Sequence, residues 1–158
     1  MFFNDRPQAI AHIRGGPLRP QIRGTAWFFC ENNDTYLVVR VDGLPRYHPG
    51  SDRIDPIGPF GFHIHSGRSC EVGDPDTPFL AALEHYNPDN QPHGNHAGDL
   101  PVLFSMDGTA IMMFYSNRFT PTEIIGRTLI IHENPDDYRT QPAGDSGRRL
   151  ACGEIKRI

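Results

Sequence analysis

Seven short runs of alternating or β-rich character recur along this chain: Ala9–Arg14, Gly24–Cys30, Thr35–Val41, Phe60–His65, Thr109–Tyr115, Arg127–His132 and Ala151–Ile155. Pro101–Phe104 makes an eighth. Successive side chains of a strand point to opposite faces, so each run can bury one face against a common core. Strands of this number and spacing, with 16 glycines and 15 prolines in 158 residues, argue for an all-β sandwich or barrel. The length suits a single domain, residues 1–158, with a core of its own. The helix-like stretch is TPFLAALEHYN, where Thr77 is placed to cap a short turn ahead of Leu80 and Leu83. Three irregular stretches interrupt the strands: Pro45–Pro59, Ser66–Leu100 and Glu133–Arg149. Loops beyond about 12–15 residues are usually functional or disordered. Two of these three are bounded by His or Cys, which favours function.

A net charge of −4 with interspersed signs gives no basic face for nucleic acid. No apolar run reaches the length needed to cross a bilayer. The opening MFFNDRPQAIAHIRGG lacks the basic start, apolar core and cleavage site of a secretory leader. The expected location is therefore the cytoplasm, or that of an already processed exported chain. Cys30, Cys70 and Cys152 allow one disulfide and leave one thiol, and spacing alone does not choose the pair. Cys30 follows AWFF, which places it among buried, unreactive thiols.

Six of the eight histidines fall in three segments, FHIH, LEHYNPDNQPHGNHAGDL and LIIHE. His63 and His65, two apart on a strand, project from one face and can converge on a small target. The spacing His93-x-x-His96-x-x-Asp99 is compact enough for one ion, and two His with one Asp suit zinc. His85 can complete that set as a closed, structural site. His63, His65 and His132 offer all-nitrogen ligation of the kind that suits copper. His12, in an alternating strand, and His48, beside a proline in a loop, read as satisfied or solvated histidines.

GFHIH, EHYNP, HAGDLP, IIGRTLIIHENPDD and GRRLACGEI, in this order, resemble the copper/zinc superoxide dismutases, and the resemblance runs from Ala9 to Ile155. It implies a Greek-key β-sandwich or barrel of about eight antiparallel strands with long functional loops. It implies copper held by His63, His65, His85 and His132, and zinc by His85, His93, His96 and Asp99, with His85 bridging the two. Asp136 is at the position of a carboxylate that links ligand histidines of both metals through their second ring nitrogens. Cys70 and Cys152 match the family's intrasubunit disulfide, and Arg149 its substrate-guiding arginine. The implied activity is dismutation of superoxide to dioxygen and peroxide, with copper carrying the redox step and His85 the proton. A homodimer is a further expectation. The chain departs from the family pattern in having two residues between His93 and His96 where a longer loop is usual. Pro45–Pro59 is longer than the usual link, and the loops before Cys70 and over Glu133–Arg149 are trimmed. Two other readings compete: a non-catalytic copper/zinc-binding module on a degenerate dismutase fold, and a zinc hydrolase. Against the hydrolase, no spare Glu or His is placed as a general base.

Overall fold

The structure, a computed structural model, describes residues 6–158. Met1–Asp5, the start of the stretch read for a leader, lie outside the described residues. Among the described residues seven strands form one antiparallel sheet: β1 (Ala9–Gly15), β2 (Arg23–Glu31), β3 (Asp34–Asp42), β4 (Phe62–His65), β5 (Ala110–Ser116), β6 (Thr128–His132) and β7 (Arg149–Arg157). Their order is β4-β6-β7-β1-β2-β3-β5. β3 and β5 are neighbours although β4, at the opposite edge, lies between them in the chain. The chain thus crosses from one edge to the other and back, as in a Greek key, and the sheet curls into a half-barrel.

Local chemistry explains the regular parts. The β2–β3 hairpin turns on Asn32 and Asn33, whose φ values of 53° and 68° form the left-handed pair required by a two-residue hairpin loop and tolerated by Asn. On the concave face, alternate residues fill one core: Ala9, Ala11 and Ile13 of β1, Phe28 of β2, Leu37, Val39 and Val41 of β3, and Phe62 and Ile64 of β4. Burying such side chains removes apolar surface from water at about 25 cal/mol per Å2. On the convex side of β6 and β7, Ile130 and Cys152 are covered by Phe79 and Ala82 from the long connection after β4. That covered half of the convex face is where the histidines lie.

Three sequence expectations change here. Pro101–Phe104 is no strand; Leu103 alone exchanges backbone bonds with Phe60, at 2.9 and 3.0 Å. Pro101 has no N–H to donate, and the Tyr138 hydroxyl captures the groups on either side, accepting from Val102 N–H at 2.9 Å and donating to the Leu100 carbonyl at 3.0 Å. The helix-like stretch shrinks to a three-residue 3-10 turn, Leu80–Ala82, entered through a left-handed Phe79 with no side-chain cap, so Thr77 does not cap it. Its flanking carbonyls are drawn elsewhere, Ala82 to Gly67 N–H at 2.7 Å and Glu84 to Ser66 N–H at 2.8 Å. Cys30 is half-buried rather than buried. Pro45–Pro59 also carries two isolated bridges, His48 with Ile57 and Ser51 with Ile54.

Cys70 is bonded to Cys152 across 82 residues of sequence. The bond ties the connection after β4 to β7, and Arg149 ties it a second time through the carbonyls of Phe79 and Leu83, at 2.6 and 2.7 Å. Closing so long a loop restricts the unfolded chain. Reduction of the bond is expected to cost about 2–5 kcal/mol, read as a lower urea midpoint of the metal-free protein. An unchanged midpoint would show that the Arg149 contacts hold the connection unaided.

Candidate metal centre

β4 is an edge strand with a row of backbone groups to satisfy. The connection that follows it supplies the partners: Ile64 N–H donates to Gly98 O at 2.9 Å, Tyr86 N–H to Ile64 O at 2.8 Å, and Gly98 N–H to Tyr86 O at 2.8 Å. A Cβ on residue 98 would stand 2.3 Å from the Ile64 carbonyl, so this approach requires glycine. Bridges pair His63 with Asp99 and His65 with His85. Two distant histidine segments are thereby laid side by side through backbone bonds alone. From β6, His132 joins them beside a register shift at Ile131/His132, the kind of bulge that re-aims a side chain.

Two groups of side chains result. His63, His65, His85 and His132 offer ring nitrogens all within 4.8 Å of one another, and so do His85, His93, His96 and Asp99 in donor nitrogens and oxygen. His85 belongs to both. In four of the six rings the outward nitrogen is committed. His63 Nε2–H donates to Asp136 Oδ2 at 2.7 Å, and His93 Nε2–H to Asp136 Oδ1 at 2.8 Å. His65 Nδ1–H donates to the Leu83 carbonyl at 2.7 Å and His132 Nδ1–H to that of Gly147 at 3.3 Å. Such bonds fix the tautomer and leave a lone pair on the other nitrogen.

Those inward nitrogens supply the test of fit. Nδ1 of His63, Nε2 of His85, Nδ1 of His93 and Nδ1 of His96 are buried without a hydrogen-bond partner among the described residues. A polar atom rarely goes unpaired in an interior without a reason. His65 Nε2 and His132 Nε2 face each other at 3.2 Å, and with both Nδ1 positions protonated neither has a hydrogen to share. A cation between such lone pairs relieves the conflict. All-nitrogen donors suit copper, and three nitrogens with a carboxylate suit zinc. The donor sets fit both ions.

Asp99 is oriented before any ion arrives: Oδ2 accepts from the backbone N–H of Gly94 at 2.8 Å and of His96 at 3.0 Å, while Oδ1 lies 2.9 Å from His85 Nδ1. Burial raises the Asp99 pKa, but the His85 bond and the charges of His85, His93 and His96 outweigh it and hold the carboxyl down at about 2. Burial likewise raises Asp136, and the bonds from His63, His93 and the Tyr138 N–H bring it below its usual value. For His63, His65, His96 and His132 burial wins. His63 is lowered to about 4 despite the Asp136 bond, and His65 and His132 are pushed well below the ordinary histidine value by burial, then by neighbouring rings and Arg149.

Arg149, half-buried on β7, spends its guanidinium on the two carbonyls named above and faces no carboxylate partner within ion-pair distance among the described residues. Its neighbour Arg148 is exposed and forms a two-pronged pair with Glu133 at 2.8 and 2.9 Å. His12, exposed on β1, and His48, which accepts from Gly50 N–H at 3.0 Å, lie apart from both groups. Sequence reading missed Gly144. A Cβ there would fall 1.8 Å from Asp136 Oδ1 and 2.5 Å from His93 Nε2, so the backbone of residue 144 roofs that hydrogen bond. Nothing in the sequence separates Gly144 from the other loop glycines.

Comparison with known proteins agrees with this arrangement. Residues 22–155 match the family model described as copper/zinc superoxide dismutase (SODC). A Cu-Zn superoxide dismutase of Deinococcus radiodurans is 35% identical, over 87% of this chain and 79% of its own length. One from Aquifex aeolicus is 30% identical over 86% and 80% respectively, and one from Dictyostelium discoideum 33% over 96% and 99%. The chain belongs to the copper/zinc superoxide dismutase family.

The depressed imidazole values carry a pH consequence. Between about 6.5, the unfolded histidine value, and about 4, the folded value of His63, the unfolded chain binds more protons than the folded one. Stability of the metal-free protein is then full above the unfolded value and falls as the pH drops through this window. Asp99 and Asp136, lowered in the fold, extend the loss at still lower pH. Urea midpoints of metal-free protein should hold steady above about pH 6.5 and decline below it. A flat profile down to pH 4 would show that the rings charge in place.

Proposed function

We propose that this member of the family is a working superoxide dismutase, with His63, His65, His85 and His132 as copper ligands, His85, His93, His96 and Asp99 as zinc ligands, and residues 1–158 as one dismutase domain. The observation that carries the reading is the pair of four-donor groups sharing His85. Copper, when bound, supplies a one-electron couple that superoxide can both reduce and reoxidise, and zinc supplies fixed positive charge without redox chemistry. The protein's part is to hold, steer and deliver protons. Asp136 grips His63 and His93 together by their outward nitrogens, which turns the inward nitrogens toward the metal groups. His85 carries the proton: its Nε2, buried and without a hydrogen-bond partner among the described residues, accepts one in the first half-reaction and gives it up to the peroxide product in the second. Imidazole suits this because its two forms interconvert near neutral pH. Arg149 guides the anion. Its charge is near enough to His65 and His132 to lower both, and its hydrogen bonds go to carbonyls, with Glu84 an acidic neighbour that forms no ion pair with it.

The reading extends to compartment and assembly. A Cys70–Cys152 bond is at home in an oxidising compartment, so of the two locations expected from sequence we favour that of a processed, exported chain. No helix among the described residues is long and apolar enough to cross a membrane. Superoxide is the substrate, and with a net charge of −4 no nucleic-acid partner enters the reading. For the homodimer, Ile111, Met113 and Tyr115 on the outer face of edge strand β5, with Phe104 and Met106 just before it, are each more than half exposed. Their alternation carries no charge, and an antiparallel edge is self-complementary about a twofold axis.

Two measurements test these statements. Protein reconstituted with copper, zinc, both or neither should consume superoxide only where copper is present. His63→Ala should abolish turnover, and Asp99→Ala should weaken zinc and keep part of the rate. Metal uptake without superoxide consumption would make the chain a binding module. Arg149→Ala should lower the second-order rate by about tenfold and flatten its fall with salt, while Arg149→Lys should recover part of it. For assembly, sedimentation should give a dimer that Met113→Glu converts to monomer, and a monomeric parent would remove that part of the proposal.

A further inference from the structure

The segment from His93 to His96 has no regular secondary structure, yet each of its four N–H groups has a partner, and so do the carbonyls of His93, Gly94 and His96. From the inner side, Asp99 Oδ2 accepts from Gly94 and His96 N–H. Asn95 N–H turns back to the Pro92 carbonyl at 3.0 Å. From the outer side, the Gln141 side chain meets the His93 peptide as another peptide would: its Oε1 accepts His93 N–H at 2.8 Å and its Nε2–H donates to the His93 carbonyl at 3.3 Å. Arg118, on the connection after β5, donates through Nη1 to the carbonyls of His96 at 3.2 Å and Gly94 at 3.4 Å. Gln141 stands on the same loop as Asp136, so one loop holds His93 by both ring and peptide.

We infer that Gln141 and Arg118 are positioning residues for the zinc side, clamping the backbone of the short segment between His93 and His96 so that its donors are aimed before the ion binds. The inference rests on the zinc assignment above. An irregular segment this short has no element of its own to fix two ligand rings, and bonds behind the ligands typically set metal affinity by about 10- to 100-fold. The two clamps come from different connections, so each can be removed without disturbing the other or the strands. Neither side chain is among the donors of the two groups.

The test uses copper- and zinc-loaded protein and reads zinc transfer to a chromophoric chelator. Gln141→Ala and Arg118→Ala should each release zinc about 10- to 100-fold faster than the parent, with copper content and the urea midpoint of the metal-free protein unchanged. Gln141→Glu, which keeps an acceptor for His93 N–H, and Arg118→Lys, which keeps a donor, should fall between. In the cobalt-substituted zinc site the alanine variants should show an altered visible ligand-field spectrum. Asp99→Ala runs alongside as the control. If it holds zinc as the parent does, the zinc assignment itself fails. If it loses zinc while both alanine variants release it at the parent's rate and keep its spectrum, the clamps are idle and the inference is overturned.

Discussion

Six imidazoles crowded into one interior coexist by presenting lone pairs to a common centre, and burial pushes His63, His65, His96 and His132 below the ordinary histidine value. Water cannot stabilise a charge on rings that are nearly or wholly buried, and each protonated ring would repel the next. The structure meets this constraint from outside the cluster. Asp136 takes two outward N–H groups and the Leu83 and Gly147 carbonyls take two more. The cost is a set of buried nitrogens with no hydrogen to share, and that conflict is what makes the interior a receptor for cations rather than a polar core that satisfies itself.

The strand pattern was legible because alternation is local: each of the seven runs overlaps one of the seven strands, with ends shifted by no more than two residues. Both segments misread, Pro101–Phe104 and Thr77–Asn87, had their backbone groups claimed from afar, by Tyr138, Arg149, Ser66 and Gly67. Local propensity carries no record of such claims. Within the candidate site, residue types and the family resemblance named the side chains that the fold brings together, because His and Asp at these spacings have few other uses. Illegible were the parts that act through the main chain: Gly98 and Gly144, which let two backbones touch the cluster, and Gln141 and Arg118, ordinary polar residues until their partners are seen.

The two donor groups differ in what supports them. His63, His65 and His132 stand on hydrogen-bonded strands β4 and β6, whose opposite face is the main core. His93 and His96 stand on a connection whose backbone meets β4 at Tyr86 and Gly98 and which between those points is held largely by side-chain bonds. Strand-borne geometry survives loss of a neighbour because the ladder fixes it, whereas loop-borne geometry depends on each individual bond. His85 spans the difference: its peptide pairs with β4 and its two nitrogens face the two groups. A disturbance on the loop side therefore reaches the strand side through this ring and through Asp136, which binds both His63 and His93.

Charge completes the argument. An anionic substrate is repelled by a chain of net charge −4, so any attraction must be local and must not be spent on a nearby acid. Arg148 fails that condition because Glu133 neutralises it in a two-pronged pair at the surface. Arg149 meets it. Its donors go to two carbonyls, which hold the guanidinium in place without cancelling its charge, and one of those carbonyls, Leu83, also receives the His65 N–H. The same oxygen thus holds both the proposed guiding cation and one candidate copper ligand, so that in the proposed dismutase the steering charge and a metal-binding ring share an anchor on one loop.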